Sequence, residues 1–127
     1  DYFLYADDAE YALRMRRAGY RIFWVAASRV VEQRHTDKDR VMLPGCSVQF
    51  HNSPAKLYYA FRNQTHMFIR YGMWLALART LLYGLKVSLA IVLTRKVSGG
   101  HMLRALSRGI ADGWRGRLGK DTRYEPG

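Results

Sequence analysis

The feature that most constrains this chain is a long apolar stretch, residues 73–94, that carries two cations, Arg79 and Lys86. As a helix, about 20 residues are enough to cross a bilayer. Each central charge costs roughly 2.5 to 3.5 kcal/mol to insert, whereas about ten Leu, Ile and Val residues return roughly 0.3 to 0.6 kcal/mol each, so spanning comes out near zero. A helix in the plane of an anionic membrane surface avoids this cost, which favours that arrangement. A core helix that packs on the rest of the protein or on a second copy of the chain remains the alternative.

The spacing of the two cations predicts where they lie on that helix. Arg79 and Lys86 are seven residues apart and therefore nearly eclipsed. They are expected to form one cationic stripe with Ala76, Tyr83 and Ala90.

The charge of the whole chain is strongly positive. The 127 residues include 21 Lys and Arg against 10 Asp and Glu, a formal net charge of +11, and residues 41–127 hold thirteen bases against three acids. This balance implies an anionic partner. Nucleic acid is the less favoured partner because the bases accompany Leu-rich faces and the sequence has no zinc-finger, helix-turn-helix or RNA-recognition pattern. On charge and composition alone, one candidate function is therefore a basic module that binds a membrane surface or nucleic acid without catalysis.

The first forty residues predict alternating strands and a helix. The expected elements are a strand at residues 2–5, a helix at residues 9–18, a strand at residues 20–25, a short extended piece at residues 30–32 and a polar loop at residues 34–39. Asp7 is expected to cap the helix with Glu10 at its N3 position, and Gly19 to end it. Because the chain opens at Asp1 on an unpartnered strand, it is expected to be a piece of a longer protein.

The acidic residues before this helix have two interpretations. On spacing alone, Asp7, Asp8 and Glu10 are first-turn acids that satisfy helix amides, with a cap worth about 0.5 to 2 kcal/mol. In the second interpretation, Asp8 projects from the end of a strand into a cleft, where a carboxylate can take a proton from an attacking hydroxyl. The position at the carboxyl end of a strand favours the second interpretation, since open α/β sheets bind ligands there.

Three separate segments resemble one enzyme family. Residues 5–11, YADDAEY, followed by Ala-Gly-Tyr at residues 18–20, resemble the acceptor-side motif of family 2 glycosyltransferases. Residues 50–63, which begin with FHNSP and end with FRN, resemble the segment that follows the catalytic domain in bacterial rhamnosyltransferases and galactofuranosyltransferases of this family. Residues 109–119 are similar to their usual ending. The three matches have the right order and span most of the chain.

The resemblance implies a reaction and a site. It implies an inverting transfer of a sugar from a nucleotide-sugar donor to a hydroxyl of a cell-surface glycan or lipid-linked acceptor, at the cytoplasmic face of the bacterial inner membrane. Asp8 would be the general base, and Asp7 and Glu10 would shape the acceptor pocket. On the sequence alone, His35 in its polar loop is interpreted as a solvated surface histidine. The resemblance implies another role, because His35 stands where these enzymes often place a histidine that helps bind a divalent ion, Mn²⁺ or Mg²⁺, on the nucleotide diphosphate.

The resemblance also implies a fold class and a division of the chain. The expected fold is an α/β fragment: the acceptor-side end of a GT-A, Rossmann-like domain, followed by a mostly α-helical, amphipathic C-terminal region. Residues 1–52 would belong to the catalytic domain, residues 53–119 to a helical membrane-associated or packing region, and residues 120–127 to a basic flexible tail. Because the nucleotide-binding half of such an enzyme is absent, this chain alone is not expected to catalyse.

The second region predicts helices. Ser53 and Pro54 are typical of a helix start, and the helix is expected to run to about residue 71 and stop at Gly72. On the sequence alone, Tyr58, Tyr59, Arg62 and Asn63 are interpreted as a helix surface with aromatic packing. The family resemblance would instead place them near the cleft or the membrane, without a catalytic role. Residues 98–100 are expected to end the preceding helix, and a short amphipathic helix is expected at residues 102–110. Residues 113–127 are expected to form a loose basic tail.

Overall fold

The computed structural model describes residues 2, 5–23, 25–29, 31, 38–94 and 99–124. The elements in chain order are α1 (Asp7–Arg17), β1 (Lys38–Leu43), β2 (Cys46–His51), α2 (Pro54–Arg70), α3 (Trp74–Thr94), α4 (Gly99–Trp114) and a 3₁₀ turn at Thr122–Tyr124. Within the described residues the protein is mostly helical, with one small sheet of two antiparallel strands. This architecture is compatible with an α/β fragment followed by a mostly helical region.

The helix α1 confirms the first predicted helix but begins differently. Ala6 precedes its first turn, and no side chain caps it. Tyr5 and Ala6 both adopt a left-handed backbone with a φ of 62°, so the chain has already turned before Asp7. The amide of Glu10 then donates to the carbonyl oxygen of Ala6 at 2.9 Å. The prediction that Asp7 caps the helix is therefore wrong, since Asp7 is its first residue.

The end of α1 follows the prediction. Gly19 adopts a φ of 87°. Its amide donates to the carbonyl oxygen of Arg16 at 3.1 Å, and the amide of Tyr20 donates to that of Met15 at 3.0 Å. These two bonds satisfy carbonyl groups that the last helical turn would otherwise leave without partners.

The strand predicted at residues 20–25 is wrong where the structure describes it. Residues 20–23 and 25 are irregular, and the side chains of Ile22 and Phe23 are exposed. A strand is stabilised by its neighbour in a sheet, and β1 and β2 pair only with each other in the described part of the chain. The predictions at residues 2–5 and 30–32 fall largely on residues outside that part.

A β-hairpin that the sequence analysis did not predict precedes α2. Its strands pair antiparallel through six residue pairs, and Gly45 adopts a φ of 77° in the turn. Val48 and Phe50 of β2 point into the core, and the residues that alternate with them do not. The polar loop predicted at residues 34–39 is wrong at its last two residues, which begin β1. Residues 34–37 lie outside the described residues.

The helix α2 is the centre of the fold, and its bounds confirm the prediction. It begins at Pro54 and ends just before Gly72, which adopts a φ of 69°. It packs most extensively against α4. Gly109 and Gly113 of α4 allow this contact, because a Cβ atom added at Gly109 would lie 2.5 Å from the carbonyl oxygen of Tyr58.

The helix α3 confirms the predicted helix over residues 73–94 but only part of the predicted stripe. Its buried residues are Leu77, Gly84, Val87, Ala90 and Ile91. Arg79 and Lys86 are exposed, as expected. Ala90 is fully buried because α4 covers the end of α3, where Ala90 and Met102 share one apolar core. The two cations therefore do not share an exposed stripe with Ala90.

The helix α4 and the segment after it differ from the prediction. The helix begins at Gly99 instead of residue 102, so Gly99 and Gly100 belong to α4 and not to the break between α3 and α4. Instead of a loose tail, the chain packs back on α2: the Tyr124 ring stacks on Tyr58 with centroids 4.2 Å apart. The amide of Asp121 donates to the hydroxyl of Tyr59 at 2.8 Å. Buried aromatic partners on α2 account for the difference.

Candidate functional site

The acidic turn, residues 5–8, joins two left-handed residues to two exposed carboxylates. Tyr5 and Ala6 each have a φ of 62°, and Asp7 and Asp8 are exposed at the first turn of α1. A left-handed backbone costs a residue with a side chain roughly 1 to 2 kcal/mol. Such conformations persist only where the surrounding structure holds them, and they cluster at functional sites. The amino end of the α1 dipole favours negative charge at Asp7 and Asp8.

Asn63, near the middle of α2, holds the acidic turn in place. Its side chain is fully buried, and its Nδ2 atom donates to the carbonyl oxygen of Tyr5 at 2.8 Å. Its Oδ1 atom accepts from Nε of Arg62 at 2.9 Å. From the other side, the Tyr5 hydroxyl lies 3.5 Å from Nδ1 of His51, the last residue of β2. The residue that opens the turn is therefore fixed by both α2 and the hairpin.

Arg62 extends this network to the C-terminal segment. Its side chain is buried, and its Nη1 atom donates to the carbonyl oxygen of Gly119 at 2.6 Å. The guanidinium carbon lies 4.7 Å from the centre of the Tyr59 ring and 5.5 Å from that of Tyr58. A buried cation is costly unless such partners compensate its lost hydration. The interpretation of these residues and Asn63 as a helix surface is therefore wrong, because the C-terminal segment covers Tyr58, Tyr59 and Arg62, and Tyr5 covers Asn63. The predicted aromatic packing is confirmed.

Tyr58 anchors the same segment through carboxylates. Its hydroxyl donates to Oδ2 of Asp112 at 3.0 Å and lies 3.3 Å from Oδ2 of Asp121. Burial, followed by the hydrogen bond to Asp112, raises the pKa of Tyr58 to about 12. Asp112 is also 3.7 Å from Nε of Arg108 and 3.8 Å from Nη1 of Arg117. Tyr58 therefore stays protonated near neutral pH and acts as a hydrogen-bond donor that joins α2 to α4.

Glu10, predicted to shape an acceptor pocket, is the buried acid of α1. The Tyr71 hydroxyl donates to its Oε1 atom at 3.0 Å. Nε of Arg14 lies 3.6 Å and Nη1 of Arg70 lies 3.8 Å from its carboxylate. Burial and the hydrogen bond to Glu10 raise the pKa of Tyr71. Glu10 thus fastens α1 to the end of α2, and a direct contact of its carboxylate with an acceptor stays a prediction.

A groove of about 1060 Å³ lies between α1, residues 20–22 and the C-terminal part of α2. Leu13 and Phe68 form part of its apolar lining, and Ala9 lines it where α1 begins. Asp7 and Asp8 precede Ala9 in the chain and are not part of this lining. The structure therefore exposes both residues to solvent, and only their chain neighbour Ala9 lines the groove. The projection of Asp8 into a cleft stays a prediction.

The predicted metal ligand, His35, lies outside the described residues. Within the ranges that the structure describes, no group of three or more His, Cys, Asp and Glu side chains could hold a metal ion. The divalent ion, Mn²⁺ or Mg²⁺, and the role of His35 in holding it stay predictions for the intact enzyme.

Comparison with known proteins finds no match to this chain among protein families, curated proteins or solved structures. The sequence analysis missed the role of Asn63 and His51 in holding the turn. Both lie in residues 50–63, one of the segments that carry the family resemblance, so that resemblance was the available signal.

Proposed function

We propose that this chain is the acceptor-side end and helical C-terminal region of an inverting family 2 glycosyltransferase of the GT-A type. The acidic turn is the observation that carries this proposal. Tyr5 and Ala6 take costly left-handed conformations directly before Asp7 and Asp8, and the buried Asn63 holds them there. A turn that served only to start a helix would not need this arrangement, because an ordinary extended N-cap residue does so at no such cost.

In the proposed reaction, the Asp8 carboxylate takes the proton from an acceptor hydroxyl. The acceptor oxygen then attacks the anomeric carbon of the donor sugar as the bond from that carbon to the diphosphate breaks, and the nucleoside diphosphate leaves with the electron pair. Attack opposite to the leaving group inverts the anomeric configuration. A general base of this kind contributes about 10²- to 10⁴-fold to the rate.

The other acids have supporting roles in this proposal. Asp7, exposed beside Asp8, contacts the acceptor. Glu10 keeps α1 in position through Tyr71 and its two arginine neighbours. When bound in the intact enzyme, a divalent ion such as Mn²⁺ or Mg²⁺ would neutralise charge on the departing diphosphate. His35 is the residue of this chain proposed to help hold it.

The acceptor and the location are proposed on the resemblance and on the charge of the chain. The acceptor class is a hydroxyl group of a cell-surface glycan or of a lipid-linked glycan. The location is the cytoplasmic face of the bacterial inner membrane. The net charge of +11 is consistent with work beside an anionic surface.

The test is a pair of substitutions in the intact enzyme, Asp8→Asn and Asp7→Asn. The two residues are adjacent, equally charged and both exposed, so each variant is the control for the other. Asp8→Asn should lower kcat by about 10²- to 10⁴-fold while nucleotide-sugar binding, measured by calorimetry, is retained. Asp7→Asn should mainly raise the KM for the acceptor. Equal loss of kcat in both variants, or near-normal turnover of Asp8→Asn, would end the assignment of Asp8 as the base.

A further inference from the structure

One face of α3 exposes large apolar side chains along its whole length. We define the apolar stripe as Trp74, Leu75, Leu82, Leu85, Leu89, Val92 and Leu93. Each of these side chains is between 51% and 68% exposed. Soluble monomeric proteins rarely expose a continuous apolar patch of this kind, and patches larger than those of ordinary monomers mark sites of interaction.

The apolar stripe has a cationic border on one side. At 3.6 residues per turn, its seven residues fall within an arc of about 100° around α3, and Lys86 and Arg79 lie about 20° and 40° beyond one edge of that arc. Both cations are exposed. The sequence of α3 contains no acid. A surface with an apolar centre and a basic margin is typical of helices that lie in a membrane interface.

The opposite face of α3 is committed to the protein. Leu77, Val87 and Ile91 are buried there, and α3 contacts α2, α4 and both strands. The Tyr83 hydroxyl donates to the carbonyl oxygen of Gln49 in β2. Although α3 is the one helix within the described residues that is long and apolar enough to span a membrane, spanning would detach it from these neighbours or carry them into the bilayer.

We propose that the apolar stripe docks α3, parallel to the membrane plane, into the interface of a bilayer that contains anionic lipids. In this position the leucine side chains reach the boundary between headgroups and acyl chains, and Arg79 and Lys86 lie at the depth of lipid phosphates. This inference does not depend on sugar transfer, and it holds whether or not Asp8 is a base.

Charge decides between a membrane and a second copy of the chain as the occupant of the apolar stripe. An antiparallel pair of α3 helices centred between the two cations would set Arg79 of one copy against Lys86 of the other. Because α3 has no acid, such a pair has no opposite charge within α3 to compensate this repulsion. Anionic lipid headgroups supply that charge directly.

The test is flotation of the 127-residue chain with vesicles of neutral phosphatidylcholine, with and without 30% phosphatidylglycerol. Binding should require the anionic lipid and should weaken when the ionic strength rises, since salt screens the contribution of the cations. Binding that is equally strong to neutral vesicles, or that an excess of a non-specific oligonucleotide abolishes, would overturn the proposal.

Variants with matched controls locate the surface. Leu85→Glu should lower partitioning to anionic vesicles about tenfold or more, because it removes an inserted side chain and adds a repelled charge. The control Met42→Glu makes the same kind of change at an exposed apolar residue of β1 and should leave partitioning within about twofold. Circular dichroism checks that both variants stay folded. Equal loss in both variants would contradict docking through the apolar stripe.

The cationic border is tested in the same assay. The double variant Arg79→Gln, Lys86→Gln should lower partitioning about 25-fold, since each basic residue near an anionic surface contributes about fivefold. The control neutralises two other exposed arginines, Arg104 and Arg115, and should have a much smaller effect. Equal losses in the two double variants would show that net charge alone drives binding, and would overturn the specific orientation.

Depth measurements separate docking from spanning. Single-tryptophan chains, with Trp at position 74 or with Leu85→Trp and the native tryptophans changed to Phe, are quenched by lipids brominated at different acyl positions. Docking in the membrane plane predicts the same shallow depth at the end and in the middle of α3. A deep position 85 with a shallow position 74 would indicate spanning and overturn the proposal. If the chain does not bind vesicles but sediments as a dimer, and Leu85→Glu dissociates that dimer, the apolar stripe is the contact with a second copy and the proposal is overturned.

Discussion

The close contact between α2 and α4 predicts a large loss of stability from one added methyl group. A Cβ atom at Gly109 would lie 2.5 Å from the carbonyl oxygen of Tyr58 and 3.3 Å from the amide nitrogen of Arg62. Both contacts are with backbone atoms, which cannot rotate away as a side chain can. Since real Cβ atoms essentially never approach closer than 3.0 Å, Gly109→Ala must push the two helices apart by about 0.5 Å.

The magnitude follows from two opposing effects. Overpacking costs about 1 to 3 kcal/mol, and contact with backbone places Gly109→Ala at the upper end of that range. Alanine returns about 1 kcal/mol through its better helix propensity. The expected net loss is therefore about 2 kcal/mol of unfolding free energy. With a urea dependence of about 2 kcal/mol per molar, this loss lowers the unfolding midpoint by about 1 M.

The matched control is Gly100→Ala in the same helix. A Cβ atom at Gly100 meets no atom within 4 Å, so this substitution should be neutral or stabilising by up to about 1 kcal/mol. Urea unfolding followed by circular dichroism compares the two variants with the wild type. Equal unfolding midpoints for Gly109→Ala and Gly100→Ala would contradict the close packing of α2 on α4.

Two further predictions concern buried polar groups. Asn63→Ala should lower the unfolding free energy by about 1 to 3 kcal/mol, because the Tyr5 carbonyl and the Nε atom of Arg62 lose their hydrogen-bond partner. The control is Gln64→Ala, at the partly exposed next residue, which should change the stability in urea little. Burial, followed by the charge of Arg70, lowers the pKa of His66 below its ordinary 6.5. As the pH drops through 6.5, the histidine of the unfolded chain is therefore protonated before that of the folded protein, and the unfolding free energy should fall. In His66→Gln the fall in the urea midpoint between pH 7.5 and 5.5 should be smaller, and an unchanged fall would remove His66 as its cause.

Local signals predicted the helices well. Gly19, Pro54 and Gly72 act within a turn of their own position, so they mark the ends of α1 and α2 correctly. The strand at residues 20–25 was wrong because apolar composition says nothing about whether a neighbouring strand is present. The hairpin was missed because its core residues alternate over only a few positions.

The candidate site could be predicted only in part. The sequence places Asp7 and Asp8 before a helix, but it does not reveal that Tyr5 and Ala6 turn left-handed or that Asn63, 58 residues after Tyr5, holds them. Polar side chains on a helix normally face water, so the burial of Arg62 could not be expected without its distant partner at Gly119. These contacts join residues far apart in the chain, which local patterns do not encode.

The most direct test of the proposed function is the rate of a single turnover in the intact enzyme carrying Asp8→Asn, with the enzyme in excess of the donor and concentrated enough to bind all of it, and with the acceptor saturating. Under these conditions substrate binding and product release no longer affect the measurement, so the rate reports the transfer step. The proposal predicts a transfer rate lower by about 10²- to 10⁴-fold, with unchanged affinity for the nucleotide sugar. Loss of a general base lowers the rate by far more than threefold. A transfer rate within about threefold of the wild-type rate would therefore contradict the proposal.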